Sequence, residues 1–580
     1  MELQTGKAQA RLPFLSFPAA WFVRIGFVMI FLFFAVPMLR LIWLSFSSEY
    51  GVDLKGYQTL LTSPRTWSVL ENTVYVVCGS TFIAVLLGVS LAWLVAYSDI
   101  RGKRVVQAFA LVPFLIPSYI VTLAWAQFFA PKSMFSTLLH TIFATPPWNV
   151  YSLGGMIFVM GLSHYPVVYL LTIGVLRRIP RDLEMASRLS GAGRVRTFIK
   201  ITWPMALPGI ASGGLLAFLA GLDNFGIPAF LGIPANISVL STYIYEQIVG
   251  FGPAAFTRAA VLSVLLGGIA LFGTLLQWLL TRKAKTFETS GEDRQPRYFL
   301  GRYRWLAEII VWFFLICTSL VPLLSMLTAS LIKAYGLAFK PGNLTFRHYQ
   351  FILLESEKVK HALSNSVLLG IMTMVVCLVL GTVIAYYRVR KPSRWSKWSE
   401  LMIGMPYALP GIVLALAMIL VWMEPLPGWN PGIYGSIAIL FIAYIVRFLI
   451  LQVRGSATSL MQVDLSMEEA AHINGAGKLS SWKFILFPLI LPGLTSGAFM
   501  VLLHALTELT VSSILWSSGS ETIGVVIFGF EQAGYTTYST SLSTLIVMFI
   551  GAGMLAFLAV QNMTLRNRVN KNGYRTDRHQ

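Results

Sequence analysis

A chain of 580 residues that is 56% hydrophobic and 12% charged, with a mean hydropathy of +0.70, is too apolar for a soluble globular protein. Its 44 Lys and Arg outnumber 24 Asp and Glu, for a formal net charge of +20, yet they sit in short clusters between apolar runs. That pattern orients a membrane protein and argues against nucleic acid as a partner.

A spanning helix needs roughly 20 mostly apolar residues, because its backbone polar groups must be satisfied within the segment. Twelve runs qualify. The first six are predicted at about 20–46, 69–98, 106–130, 153–176, 205–230 and 259–281. The other six are predicted at about 305–330, 363–387, 399–423, 432–453, 489–515 and 539–562. The first run is longer than a secretory h-region and lacks a small-residue cleavage site, so it reads as a retained helix. Cys78, Cys317 and Cys377 lie far apart inside apolar runs and support neither a disulfide framework nor a metal cluster.

Basic clusters at 101–104, 177–200, 282–304, 388–397, 454–483 and 566–578 place both termini in the cytoplasm. Two of these clusters interrupt the apolar pattern with similar text. Gly191 and Gly475 stand 284 positions apart, and the same offset aligns Glu184 with Glu468, Ala186 with Ala470, Pro204 with Pro488 and the tripeptide LPG at 207–209 with that at 491–493. Earlier in each half the offset is 293, pairing Gly88 with Gly381, Pro113 with Pro406 and Pro117 with Pro410. Two halves with six spans each and one orientation are parallel repeats. The predicted organisation is a first repeat at 1–282, a charged linker at 283–304 and a second repeat at 305–580.

Each interrupting segment is predicted to hold a short helix with a glycine stop. In the second, Ser466 followed by Glu469 has capping-box spacing, and Gly475 and Gly477 can end the helix. Glu469-Ala470-Ala471, then Gly475, then Ile485-x-Phe487-Pro488 resembles the EAA motif of permease subunits in binding-protein-dependent ABC importers. The first copy, Met185-Ala186-Ser187, Gly191 and Ile201-x-Trp203-Pro204, is similar but carries Met185 at the acid's position, with Glu184 displaced by one. The resemblance covers nearly the whole chain as two fused permease domains.

That resemblance implies an all-α polytopic protein of about twelve transmembrane helices with the type I ABC importer permease fold. It also implies that the segments 181–204 and 464–488 contact a cytoplasmic ATPase homodimer, with Glu184, Ala186, Ser187, Gly191, Glu469, Ala470, Ala471 and Gly475 as coupling residues. A substrate-loaded binding protein would dock on the outer face of a bacterial inner membrane. ATP and Mg would belong to the partner ATPase, with no cofactor bound by this chain. GAGK at 475–478 is followed by Leu479 instead of Ser or Thr, so it does not complete a phosphate loop. The permease itself is therefore not expected to be an enzyme, and no Ser/His/Asp set or HExxH supports an intramembrane one.

Charge inside a membrane is costly and marks a path or a partner. Asp223-Asn224 and Thr507-Glu508 share the 284 offset, so each fifth span carries an acid near its outer end. Two readings stand: a gate or cation contact at the outer end of the path, or a group that caps a helix end or pairs with a neighbouring loop. His164 and His504 rank below them as packing groups. The phrases LAWLVAYSDIRGKR, DNFGIPAFLGIP and ELTVSSILWSSGSETIG resemble the ferric iron importer group, with thiamine, phosphonate, sugar phosphate and polyamine permeases as alternatives. No metal site is expected in this chain, since iron would be held mostly by the binding protein. An ion-coupled secondary transporter, using Asp223 and Glu508, is the alternative of another class.

Overall fold

The computed structural model describes residues 25–48, 51–133, 135–137, 141, 148–250, 254–282, 293–423 and 432–555. Among them, ten helices are long and apolar enough to cross a membrane, and two further helix pairs bring the number to twelve if each pair is one span. The linker residues 283–292, the last part of the twelfth run and the basic tail lie outside the described residues.

The predicted third and ninth spans are each one of these bent pairs. Lys103–Leu115 and Ser118–Phe129 meet at 100°, and Arg394–Ala408 and Gly411–Trp422 at 111°. Pro117 and Pro410 cause both bends. A residue before proline is driven out of the helical region, and Ile116 and Leu409 accordingly adopt extended backbone with ψ of 134° and 149°. The fifth and eleventh spans start earlier than predicted, running as Arg194–Asp223 and Leu479–Leu506. Each tolerates the first of its two prolines, Pro204 or Pro488, because a π turn (Phe198–Thr202 or Trp482–Leu486) just before it relaxes the hydrogen-bond ladder.

The described residues form two compact units that cut across the sequence repeats. The smaller contains the described residues up to Leu44 together with Leu369–Ala505. In it the first helix of the first repeat packs on the bent pair of the second, through Phe27 against Trp395 at 4.8 Å and Phe33 against Trp422 at 5.4 Å.

The larger unit contains Ser45–Leu368 and the described residues from Leu506. Its centre is the long helix Pro64–Tyr97 against Leu153–Leu176. The backbones touch at Gly88, where a Cβ would fall 2.7 Å from Val168 Cβ and 2.8 Å from the Tyr165 carbonyl. Its repeat mate Gly381 has the same role within the smaller unit, a Cβ there falling 2.7 Å from Gln452 Cγ. The opening helix of the second repeat, Gly301–Ser330, joins this unit's core: Val311 and Leu315 are buried with Tyr97, Ala110 and Tyr165. Each repeat thus lends its first helix to the other's bent pair.

Candidate functional site

The two segments with duplicated text fold alike. Helices Arg181–Leu189 and Leu465–Ile473 each end on a glycine at φ +84°, Gly191 and Gly475. Behind each glycine the chain turns back in the same way. Gly191 N–H donates to the Arg188 carbonyl at 3.0 Å and Ala192 N–H to that of Ser187 at 3.1 Å; Gly475 donates to His472 at 3.0 Å and Ala476 to Ala471 at 2.9 Å. This is the Schellman stop, which satisfies two orphan carbonyls and requires a left-handed residue.

The second helix begins earlier than the expected cap. Asp464, and not Ser466, is the N-cap: its Oδ1 accepts from the Ser466 N–H at 3.0 Å. Those bonds from the backbone and hydroxyl of Ser466 hold the Asp464 carboxyl below its ordinary range. A carboxylate beside the positive end of the helix outcompetes a serine hydroxyl two residues on.

Of the eight expected coupling residues, five lie toward solvent and three face inward. Ala186, Glu469 and Ala470 are exposed, as are the two terminal glycines. Ser187 bonds Thr197 Oγ1 at 3.1 Å, Ala471 is buried, and Glu184 is buried. Sequence reading missed the most exposed apolar side chains. Leu189 and Ile473, repeat mates at the 284 offset, are 89% and 86% exposed, and beyond the glycines Val195 and Leu479 repeat the pattern at 72% and 84%. The signal was available: an apolar residue three positions after the exposed alanine, on one helical face, in both copies.

Inward, each helix is anchored by a glutamate and an arginine. Glu184 accepts from Thr202 Oγ1 at 2.6 Å and lies 3.2 Å from Arg297 Nη1, both side chains about 3% exposed. Arg297 also donates through Nη2 to the Ile179 carbonyl at 2.6 Å and lies 4.5 Å over the Tyr97 ring. In the second copy, Arg390 Nη2 donates to the Val463 carbonyl at 2.8 Å, and its Nε lies 2.6 Å from Glu468 Oε1 as a charge contact without hydrogen-bond alignment. Glu184 and Glu468, and Ile179 and Val463, are repeat mates at offset 284. The mate of Arg390 at offset 293 is Tyr97, which has no charge. The end of the linker supplies the missing guanidinium, held there by Arg297 and Tyr298 N–H bonds to the Tyr97 carbonyl at 2.8 and 2.9 Å.

The four intramembrane positions divide. Asn224 Oδ1 accepts from Ile227 N–H at 2.9 Å, and Glu508 Oε1 from Val511 N–H at 2.7 Å, so these repeat mates cap equivalent turns three residues on. Glu508 is further held by the Ser512 N–H at 2.9 Å and hydroxyl at 2.6 Å. Capping geometry is thus what Glu508 and Asn224 display. Asp223 and Thr507 are half-buried, and His164 is buried. His504 packs on Phe448 at 5.9 Å, its Nδ1 2.9 Å from the Met500 carbonyl. A further charge escaped the sequence reading: Arg447 is buried within Ile437–Met461, against Gly411 at the bend of its pair. An arginine in an apolar run is the signal that marks it. Among the described residues, no group of three or more His, Cys, Asp or Glu converges as a metal site.

Comparison with known proteins matches residues 84–286 and 377–569 each to the family described as binding-protein-dependent transport system inner membrane component. The chain is 23% identical over 503 residues to an Fe(3+)-transport system permease protein, FbpB 2, of Haemophilus influenzae, covering 86% of this chain and 91% of that one. It is 24% identical over 460 residues to the ferric transport system permease protein FbpB of Actinobacillus pleuropneumoniae, covering 78% of this chain and 65% of the relative. A molybdate/tungstate transport system permease protein of Pyrococcus abyssi is 28% identical over 240 residues, 41% of this chain and 88% of its own length.

Proposed function

Because the chain belongs to the family of binding-protein-dependent transport system inner membrane components, we propose that it is the whole membrane pathway of an ABC importer and that its substrate is ferric iron. The observation that carries the importer reading is the pair of loop helices, which present Ala186 with Leu189 and Ala470 with Ile473 on exposed faces and end in the same glycine turn. An exposed apolar knob on a short, rigidly stopped helix suits a groove on a partner. In this reading the partner is a cytoplasmic ATPase dimer, one loop helix to each subunit, and closure of the dimer on ATP drives alternating access. The permease hydrolyses nothing, ATP and Mg stay on the ATPase, and both termini are cytoplasmic.

Glu184 and Glu468 act here as anchors. Their carboxylates hold the loop helices to the spans behind them, so force applied to a helix reaches the membrane without being lost in a hinge. Ferric iron is favoured by two relatives that match most of this chain and are named for it. The test is ATP hydrolysis by this chain in nanodiscs with its ATPase and binding protein. Stimulation only when the binding protein carries ferric iron supports both readings. Stimulation by a thiamine-, phosphonate-, sugar-phosphate- or polyamine-loaded protein keeps the importer and removes iron; transport indifferent to any ATPase removes the importer and favours an ion-coupled carrier.

A further inference from the structure

A cavity of about 470 Å³ in the larger unit joins segments remote in sequence: Tyr151, just ahead of helix Leu153–Leu176; Tyr335, after the second repeat's opening helix; and Glu531 and Gln532, at the end of helix Ile523–Gln532. Two phenols and a carboxylate line it, and no Lys or Arg does. The carboxylate is held in place: Ser539 Oγ donates to Glu531 Oε2 at 2.5 Å and Thr536 Oγ1 to Oε1 at 3.3 Å. One span, Leu153–Leu176, separates Tyr151 from the first loop helix, so Tyr151 stands at the end of that span opposite to the helix.

All the donors are oxygen, the hard class that prefers small, highly charged cations over soft metals.

We infer that Tyr151, Tyr335 and Glu531 form an acceptor site for a hard trivalent cation, ferric iron foremost, at the outer mouth of the permease. On entry, the cation exchanges water or carrier ligands for both phenolate oxygens and the carboxylate; the displaced ligands and the protons that the three groups carried pass to solvent, with no change of oxidation state. Ser539 and Thr536 are positioning residues that hold the carboxylate in place. The identity of the cation rests on the ferric reading above; the donor set itself does not.

Full-length protein in nanodiscs, titrated with ferric nitrilotriacetate, tests the site by the visible charge-transfer band that phenolate gives when bound to ferric iron. A saturable band is expected in the wild type, lost in Y151F and in Y335F, which keep the ring, and retained in Y387F. E531Q and S539A keep the phenols and lower iron affinity by about tenfold or more. Absence of the band from the wild type, or its survival in the Y151F/Y335F double variant, overturns the site. Iron uptake with the ATPase and loaded binding protein, measured in parallel, separates the two ideas. Uptake intact with no band removes this site and leaves the ferric reading; a band with uptake indifferent to iron keeps the cation site and removes the ferric reading.

Discussion

Arg297 lies 3.2 Å from Glu184, each side chain about 3% exposed, and Arg297 comes from the linker between repeats, not from the repeat that carries the glutamate. Removing one member of a buried pair leaves an uncompensated charge, at a cost of about 3–5 kcal/mol, whereas replacing both with apolar groups of like volume is often neutral. Arg297→Met or Glu184→Leu alone should therefore lower the unfolding temperature in nanodiscs and weaken ATPase coupling. The double variant should recover most of the thermal stability. Equal losses in all three would mean that the pair is not the anchor.

The exposed faces of the loop helices predict a different separation of effects. Leu189 and Ile473 are almost fully exposed, so Leu189→Ser and Ile473→Ser should change stability by no more than about 0.5 kcal/mol. If they fill grooves on the ATPase, each should weaken its binding by about 1.4 kcal/mol, or tenfold, in a pull-down or interferometry titration. The first copy carries Met185 where the second has Glu469, so Met185→Glu tests whether the missing acid makes the first contact the weaker one.

The repeat was legible in the sequence because its text is colinear: the 284 offset runs without a gap from Glu184 and Glu468 through the LPG tripeptides. The stop of each loop helix was legible for the same reason, since few residues other than glycine accept φ +84°. Hydropathy could not show the right-angle bends at Pro117 and Pro410, because it counts apolar residues without their direction. Nor could periodicity reveal that the first helix of each repeat joins the other's bent pair, or that Arg297 fills the place opposite Tyr97. Those are tertiary facts, as is the meeting of Tyr151, Tyr335 and Glu531 across one cavity.

Asp464 gives the second loop helix a pH dependence with a fixed sign. Its folded-state pKa lies below the unfolded value, because the Ser466 N–H and hydroxyl bond the ionised form. The stability it contributes is present above the unfolded aspartate value of about 3.9 and is lost as pH falls through the folded value. Hydrogen exchange of the peptide covering Leu465–Ile473, corrected for intrinsic rates, should show protection declining below that range. Asp464→Ala should remove the dependence, and an unchanged profile in that variant would reject Asp464 as the cap.

Gly475 separates folding from coupling. A Cβ there meets nothing within 4 Å, so the cost of a substitution is the left-handed backbone and not a clash. That cost is about 1–2 kcal/mol for an ordinary residue and less for asparagine, whose side chain supports the conformation. Gly475→Leu should therefore express and fold while the turn reopens and Ile473 loses its fixed presentation, cutting substrate-stimulated ATP hydrolysis. Gly475→Asn should restore much of the coupling at the same expression level. Gly191, with the same φ and the same open space, should give the same ranking in the first copy. If Gly475→Leu transports normally in well-folded protein, the glycine turn is only a chain reversal and the helix ahead of it does not transmit force.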